Sequence, residues 1–220
     1  MKNEGSKLFS RSLWLQRWCR RVVVPTLWDL MLALVYGLFV RISIGAVMRG
    51  DIGALMLAIQ ELIVIMLVLT RRRARVAVAG NSPPAILAWC GTILPLLLRP
   101  STLAPLALTM FGNMLQLVGG LLALAATLWL GRSFGIVAAN RGIQTGGLYR
   151  VVRHPIYAAY GLAFGGFMLA HPTLINGGIL VGWLMVQVLR VRAEEHLLMQ
   201  DTWYATYAAQ VRYRLIPGLW

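Results

Sequence analysis

Six apolar runs separated by short polar segments constrain this chain more than any other feature. They are Pro25 to Met48, Ile52 to Thr70, Pro84 to Leu98, Leu103 to Leu130, Pro155 to Ala170 and Thr173 to Leu189. A helix needs about 20 residues to cross a hydrocarbon core of about 30 Å. The first, second and fourth runs reach that length; the third is shorter and carries Pro95, which predicts a marginal or kinked span. Composition points the same way. The chain is 59% hydrophobic and 13% charged, against roughly 45–50% and about 25% in soluble domains. The expected fold is all-α, a polytopic transmembrane bundle of about six spans that ends in a helical hairpin with cytoplasmic segments.

The 21 basic residues give the orientation. With the N-terminus inside and all six runs crossing, 18 of the 21 fall on one side. These are Lys2, Lys7, Arg11, Arg17, Arg20 and Arg21, then Arg71, Arg72, Arg73 and Arg75, then Arg132, Arg141, Arg150 and Arg153, and finally Arg190, Arg192, Arg212 and Arg214. Arg49 and Arg99 fall outside and Arg41 lies within a span. Basic loops mark the cytoplasmic face, so both termini are expected inside. If the third run did not cross, the bias would collapse. The net charge of +14 is therefore a membrane-orientation signal, and nucleic acid is not the expected partner.

Three regions follow. Residues 1–24 mix Trp14, Leu15 and Trp18 with arginines, the pattern of an amphipathic helix on an anionic leaflet rather than a cleavable signal. Residues 25–130 form a four-span membrane region, and residues 131–220 carry the chemistry. Asp29, Arg41, Gln60 and Glu61 are polar residues within apolar runs, which makes them candidates for substrate contact or interhelical pairing. Glu61 is the substrate candidate among them. Cys19 and Cys90 show no metal or redox spacing, and no metal site is expected.

Between Gly131 and His154 lies a glycine- and arginine-rich stretch too short for a nucleotide-binding domain. Any cofactor must be held by helix ends and loops. Pro155 suits the first position of a helix, whose free amides can take an anionic group. Arg150 and Arg153 sit beside it. The last two runs read as a hairpin, with Gly161/Gly165 and Gly178/Gly182 expected to let the backbones approach. That hairpin returns Glu194 and Glu195 to the face of His154. The second helix is expected to run on past Leu198 toward Tyr204 and Tyr207. Arginine and a helix N-terminus on one side, with carboxylates on the other, suit a zwitterionic cofactor with cationic character.

Gly147-Leu148-Tyr149-Arg150-Val151-Val152-Arg153-His154-Pro155-Ile156-Tyr157 resembles the GxYxxxRHPxY signature of the isoprenylcysteine carboxyl methyltransferase family, to which phospholipid methyltransferases are related. Arg192 to Leu198 and Tyr204 to Pro217 resemble its second block. Ala159 departs from the pattern, where the family often has glycine. The resemblance covers residues 131–217. It implies S-adenosylmethionine as donor, bound by Gly147, Tyr149, Arg150, His154, Pro155, Tyr157, Glu194 and Glu195. It further implies His154 and Arg153 as catalytic residues, with Arg192, Tyr204 and Tyr207 beside Glu61 as substrate candidates. The implied partners are membrane lipids and a hydrophobic or prenylated acceptor.

Methyl transfer to a carboxylate needs orientation in a dry pocket and no strong base. Transfer to an amine would require His154 or a glutamate to accept a proton. Two other readings compete: an NADPH-dependent membrane reductase of the sterol-reductase type, whose closing segment resembles Val211 to Gly218, and a non-enzymatic membrane protein. The Glu194-Glu195 pair disfavours the reductase, because carboxylates repel a 2′-phosphate.

Overall fold

The computed structural model describes residues 27–48, 53–71, 74, 76–77 and 82–220. The helix expected within residues 1–24, the turn at Arg49 to Asp51, and Arg72, Arg73 and Arg75 lie outside the described residues. The helices are α1 (Leu27–Met48), α2 (Gly53–Thr70), α3 (Pro83–Ile93), α4 (Leu106–Leu130), α5 (Pro155–Ala170), α6 (Leu174–Leu198) and α7 (Thr202–Gln210). Two of them, α4 extended to Ser133 and α6, are long and apolar enough to cross a membrane. Their outward faces carry exposed Met110, Met114, Leu117, Leu121, Val181 and Met185. Such apolar patches need a non-aqueous neighbour, which lipid supplies.

The proline in the third run acts as its chemistry dictates. Pro95 has no N–H to continue the ladder, and the helix tightens into a 3₁₀ turn over Leu94–Leu97. Two features differ from an all-α expectation. Val76–Ala77 pairs antiparallel with Ala139–Asn140, a two-residue ribbon tying the α2–α3 connection to the loop before α5. The continuous helix expected through Tyr207 is also broken. Asp201 accepts a hydrogen bond from Trp203 N at 2.9 Å and one from Asn140 Nδ2 at 2.7 Å. An N-cap carboxylate anchored to another loop starts a new helix, so α6 stops at Leu198.

A core of Leu32, Val64, Leu67, Val68, Ala88, Phe134 and Ile136 joins α1, α2 and α3 to the loop after α4. At its edge the buried Asp29 pairs with Arg71, which pins α1 to the end of α2. Ser43 donates to Glu61 at 3.1 Å across the same helix pair.

The close backbone approach occurs elsewhere than expected. Nothing lies within 4 Å of a Cβ built on Gly161, Gly165, Gly178 or Gly182. The tight pair is α4 with α5. A Cβ on Gly112 would stand 2.5 Å from Gly166 O, and one on Gly119 would stand 2.6 Å from Ala163 N. A Cβ on Gly166 would likewise stand 2.5 Å from Gly112 O. Ala159 fits this arrangement, because the glycine that makes room at its carbonyl is Gly119 on the facing helix. Helices α5 and α6 run in opposite directions, since Tyr157 meets Glu194 and Phe164 meets Trp183. They touch through these large side chains and leave space between them.

Candidate functional site

That space is a cavity of about 590 Å³, lined by all six long helices, the loop after α4 and α7. Its volume falls within the range of small-molecule sites. One end is polar, built from Tyr149, Arg153, His154, Tyr157, Glu194, Tyr204 and Tyr207. The other is apolar, with Leu96, Leu98, Phe164 and Phe167. The ten residue steps from Tyr157 to Phe167 correspond to roughly 15 Å of helix.

The polar end is organised around one carboxylate. Glu195 is 5% exposed and accepts from Arg153 Nε at 2.7 Å, from Arg214 Nε, and contacts His154 Nε2 at 3.3 Å. Burial alone raises a carboxyl group. Here the hydrogen bonds from His154, Arg153 and Arg214 outweigh it and hold Glu195 at about 2. This part of α6 lies beyond Leu189, where its apolar run ends. Arg153 has further partners: its Nη1 donates to Ala208 O, Val211 O and Arg212 O at 3.3, 2.9 and 3.1 Å. The amides of Arg153 and His154 donate to Tyr213 O and Arg214 O, both at 2.9 Å. The Arg-His pair therefore clamps the C-terminal segment onto the start of α5 and fixes the orientation of His154.

Glu194 points the other way. It lines the cavity and accepts from Tyr157 Oη at 2.9 Å. The two adjacent glutamates thus have different positions, one on the wall and one behind it. Tyr207 donates to Tyr149 O at 2.6 Å, so α7 closes the cavity against the loop. Burial pushes the Tyr207 hydroxyl up to about 12, and raises those of Tyr149 and Tyr204 as well. Tyr204 is 3% exposed, lines the cavity, and its hydroxyl has no hydrogen-bond partner. A buried, unpaired hydroxyl is costly, and a ligand in the cavity would satisfy it.

The remaining sequence candidates sort by place. Glu61 lines the cavity from α2. Pro155 is buried at the first position of α5, and no side chain caps that helix. Its first-turn amides are where the sequence leads one to expect an anionic group. Gly147 has φ +56°, and a Cβ there would collide with the Trp129 ring, so glycine is required at this turn. Arg150 and Arg192 are exposed and off the lining.

Gln60, a candidate from its place in an apolar run, lines the cavity, as does Arg190 from the cytoplasmic basic set. Tyr36, Arg141, Tyr160 and Gln187 also line it and are not among the sequence candidates, although Gln187 carries the same polar-in-a-span signal as Gln60. Tyr36 and Tyr160 gave none, because tyrosine in an apolar run reads as packing. Burial and the neighbouring Arg71 lower Arg141 to about 10.

The phospholipid methyltransferase family model matches residues 101–206, from the segment before α4 into α7. No curated protein matches the chain. The match takes in α4, whose packing on α5 holds the motif-bearing helix in place. Residues 101–206 thus match a domain of the isoprenylcysteine carboxyl methyltransferase/phospholipid methyltransferase family.

Proposed function

We propose that this chain is an integral membrane methyltransferase that uses S-adenosylmethionine to methylate a lipid-like or prenylated acceptor, by transfer to a carboxylate oxygen. The observation that carries this reading is the continuity of the cavity. It joins Tyr149, His154, Tyr157 and Glu194 at one end to Leu96, Phe164 and Phe167 at the other. A polar donor and an apolar acceptor can therefore meet in one space.

The residues suit the donor. Glu194 and the tyrosine rings favour its cationic groups, the uncapped first turn of α5 favours its carboxylate, and the unpaired Tyr204 hydroxyl awaits a partner. Bound there, S-adenosylmethionine would supply an electrophilic methyl group on a sulfonium. Tyr157 and Glu194 hold the cationic side. Arg153 and His154 shape the reacting end, with Glu195 and Arg214 behind them as positioning residues. A carboxylate is already ionised at neutral pH, so no chain group need remove a proton. The enzyme's work is orientation and exclusion of water.

In this reading all six apolar runs cross the membrane and both termini lie in the cytoplasm, with the donor entering from that side. Residues 25–130 form the acceptor side, where Glu61 lines the wall, and residues 131–220 the donor side. The expected surface helix within residues 1–24 anchors the chain to the leaflet. The test is thermal unfolding of the purified protein with S-adenosylmethionine, S-adenosylhomocysteine or NADPH. A ligand that binds only the folded state raises its apparent stability. Both adenosyl ligands should stabilise the protein; stabilisation by NADPH alone would overturn the proposal.

A further inference from the structure

Arg190 is a cavity cation that the donor site does not use. It stands half-buried on α6, one turn before Glu194. Its Nη1 donates to Gln187 Oε1 at 3.1 Å and its Nη2 to Ile136 O at 3.0 Å. The guanidinium carbon lies 5.2 Å from the Tyr157 ring centroid. All three partners are neutral, and Arg190 makes no salt bridge among the described residues. The other guanidinium groups on the wall are placed differently. Arg153 is committed to Glu195 and three carbonyls. Arg141 sits in the loop, within the fields of Asp29 and Glu194.

Around Arg190 the bundle supplies what an anion would need. Tyr36, Gln60 and Tyr160 line the same cavity, and Gln60 Nε2 lies 3.4 Å from Tyr160 Oη. Gly91 makes room beneath the side chain, since a Cβ there would stand 2.7 Å from Arg190 Nη1. Beyond this cluster the wall turns apolar. A half-buried cation without a counter-ion is expensive, and a guanidinium fork matches the paired oxygens of carboxylate or phosphate. The donor's own carboxylate has a separate place at the first turn of α5.

We propose that Arg190 selects the acceptor by an anionic head group, a carboxylate or phosphate on a lipid tail lying against Leu96, Phe164 and Phe167. That this ligand is a methyl acceptor rests on the methyltransferase reading; that the cavity prefers a lipid anion does not. Arg190 is a specificity-determining residue here.

The test uses the full chain in phosphatidylcholine nanodiscs at pH 8, titrated with oleate, oleyl phosphate, oleyl alcohol and oleylamine while thermal unfolding is followed. One or both anions should stabilise the protein at concentrations about tenfold lower than the alcohol or amine, the order expected of one charge-assisted hydrogen bond. The stronger anion identifies carboxylate or phosphate as the head group. Arg190→Gln should erase that preference and leave the S-adenosylhomocysteine shift intact. Gly91→Ala displaces the guanidinium while keeping its charge, and should reduce the preference even if Arg190→Gln fails to fold. Equal responses to oleate, oleyl phosphate and oleyl alcohol in the wild type would overturn the proposal. So would an anion preference that survives Arg190→Gln, or loss of the S-adenosylhomocysteine shift in that variant, which would assign Arg190 to the donor. No S-adenosylhomocysteine shift in the wild type, with an Arg190-dependent anion preference, would refute the methyltransferase reading and leave this one standing.

Discussion

Replacing Gly112 by alanine should separate tight packing from helix propensity in this bundle. The added methyl would stand 2.5 Å from Gly166 O and 2.8 Å from Ala170 N, where ordinary contact begins at 3.4 Å. Both obstacles are backbone atoms of α5, so no side chain can rotate away. The helices must part by most of an ångström, and overpacking of this kind costs about 1–3 kcal/mol. Alanine gains back about 1 kcal/mol of intrinsic helix preference over glycine, which leaves a net loss of up to about 2 kcal/mol. Gly161→Ala is the matched control, because its new methyl meets nothing within 4 Å. It should be neutral or stabilising by up to about 1 kcal/mol. The assay is the unfolding midpoint of each variant in one detergent, repeated with Gly166→Ala and Gly178→Ala. Gly112→Ala and Gly166→Ala should fall below the wild type by several degrees, at roughly 2–4 °C per kcal/mol for a chain of this size. Equal midpoints for Gly112→Ala and Gly161→Ala would refute the assignment of the tight interface to α4 and α5.

Three further outcomes follow from the same geometry. Glu195 is held at about 2 against an ordinary 4.5, so its contribution is full above about pH 4.5 and is lost as pH falls toward 2. Glu195→Gln should lower neutral-pH stability by about 3 kcal/mol, because Arg153 stays buried without its counter-ion, and should flatten the acid dependence; an unchanged acid limb would contradict this. Tyr204→Phe removes an unpaired buried hydroxyl, so the ligand-free protein should be unaltered or slightly more stable, while S-adenosylhomocysteine affinity drops several-fold. Unchanged affinity would remove Tyr204 from the donor site. Single cysteines replacing Arg75 and His171, in a background without Cys19 and Cys90, should label from opposite faces of the membrane; labelling from one face would break the six-span arrangement.

What the sequence determined by itself was local or compositional. Run length gives apolar helices, Pro95 gives the tightened turn that ends α3, and Pro155 gives the start of α5. The ordered blocks around His154 and Glu195 give the family, because they sit at fixed distances along one chain. Tertiary structure decided what sequence spacing does not encode. Adjacent glutamates on a helix point in directions about 100° apart, so only packing could put Glu194 on the cavity wall and Glu195 behind it. Small residues spaced along a helix permit close approach without naming the partner, which is why Gly161, Gly165, Gly178 and Gly182 suggested the wrong interface and Gly112, Gly119 and Gly166 made the real one. Arg190 reads in sequence as one more cytoplasmic charge, and becomes a cavity cation only because α3 offers Gly91 beneath it and the Tyr157 ring lies alongside.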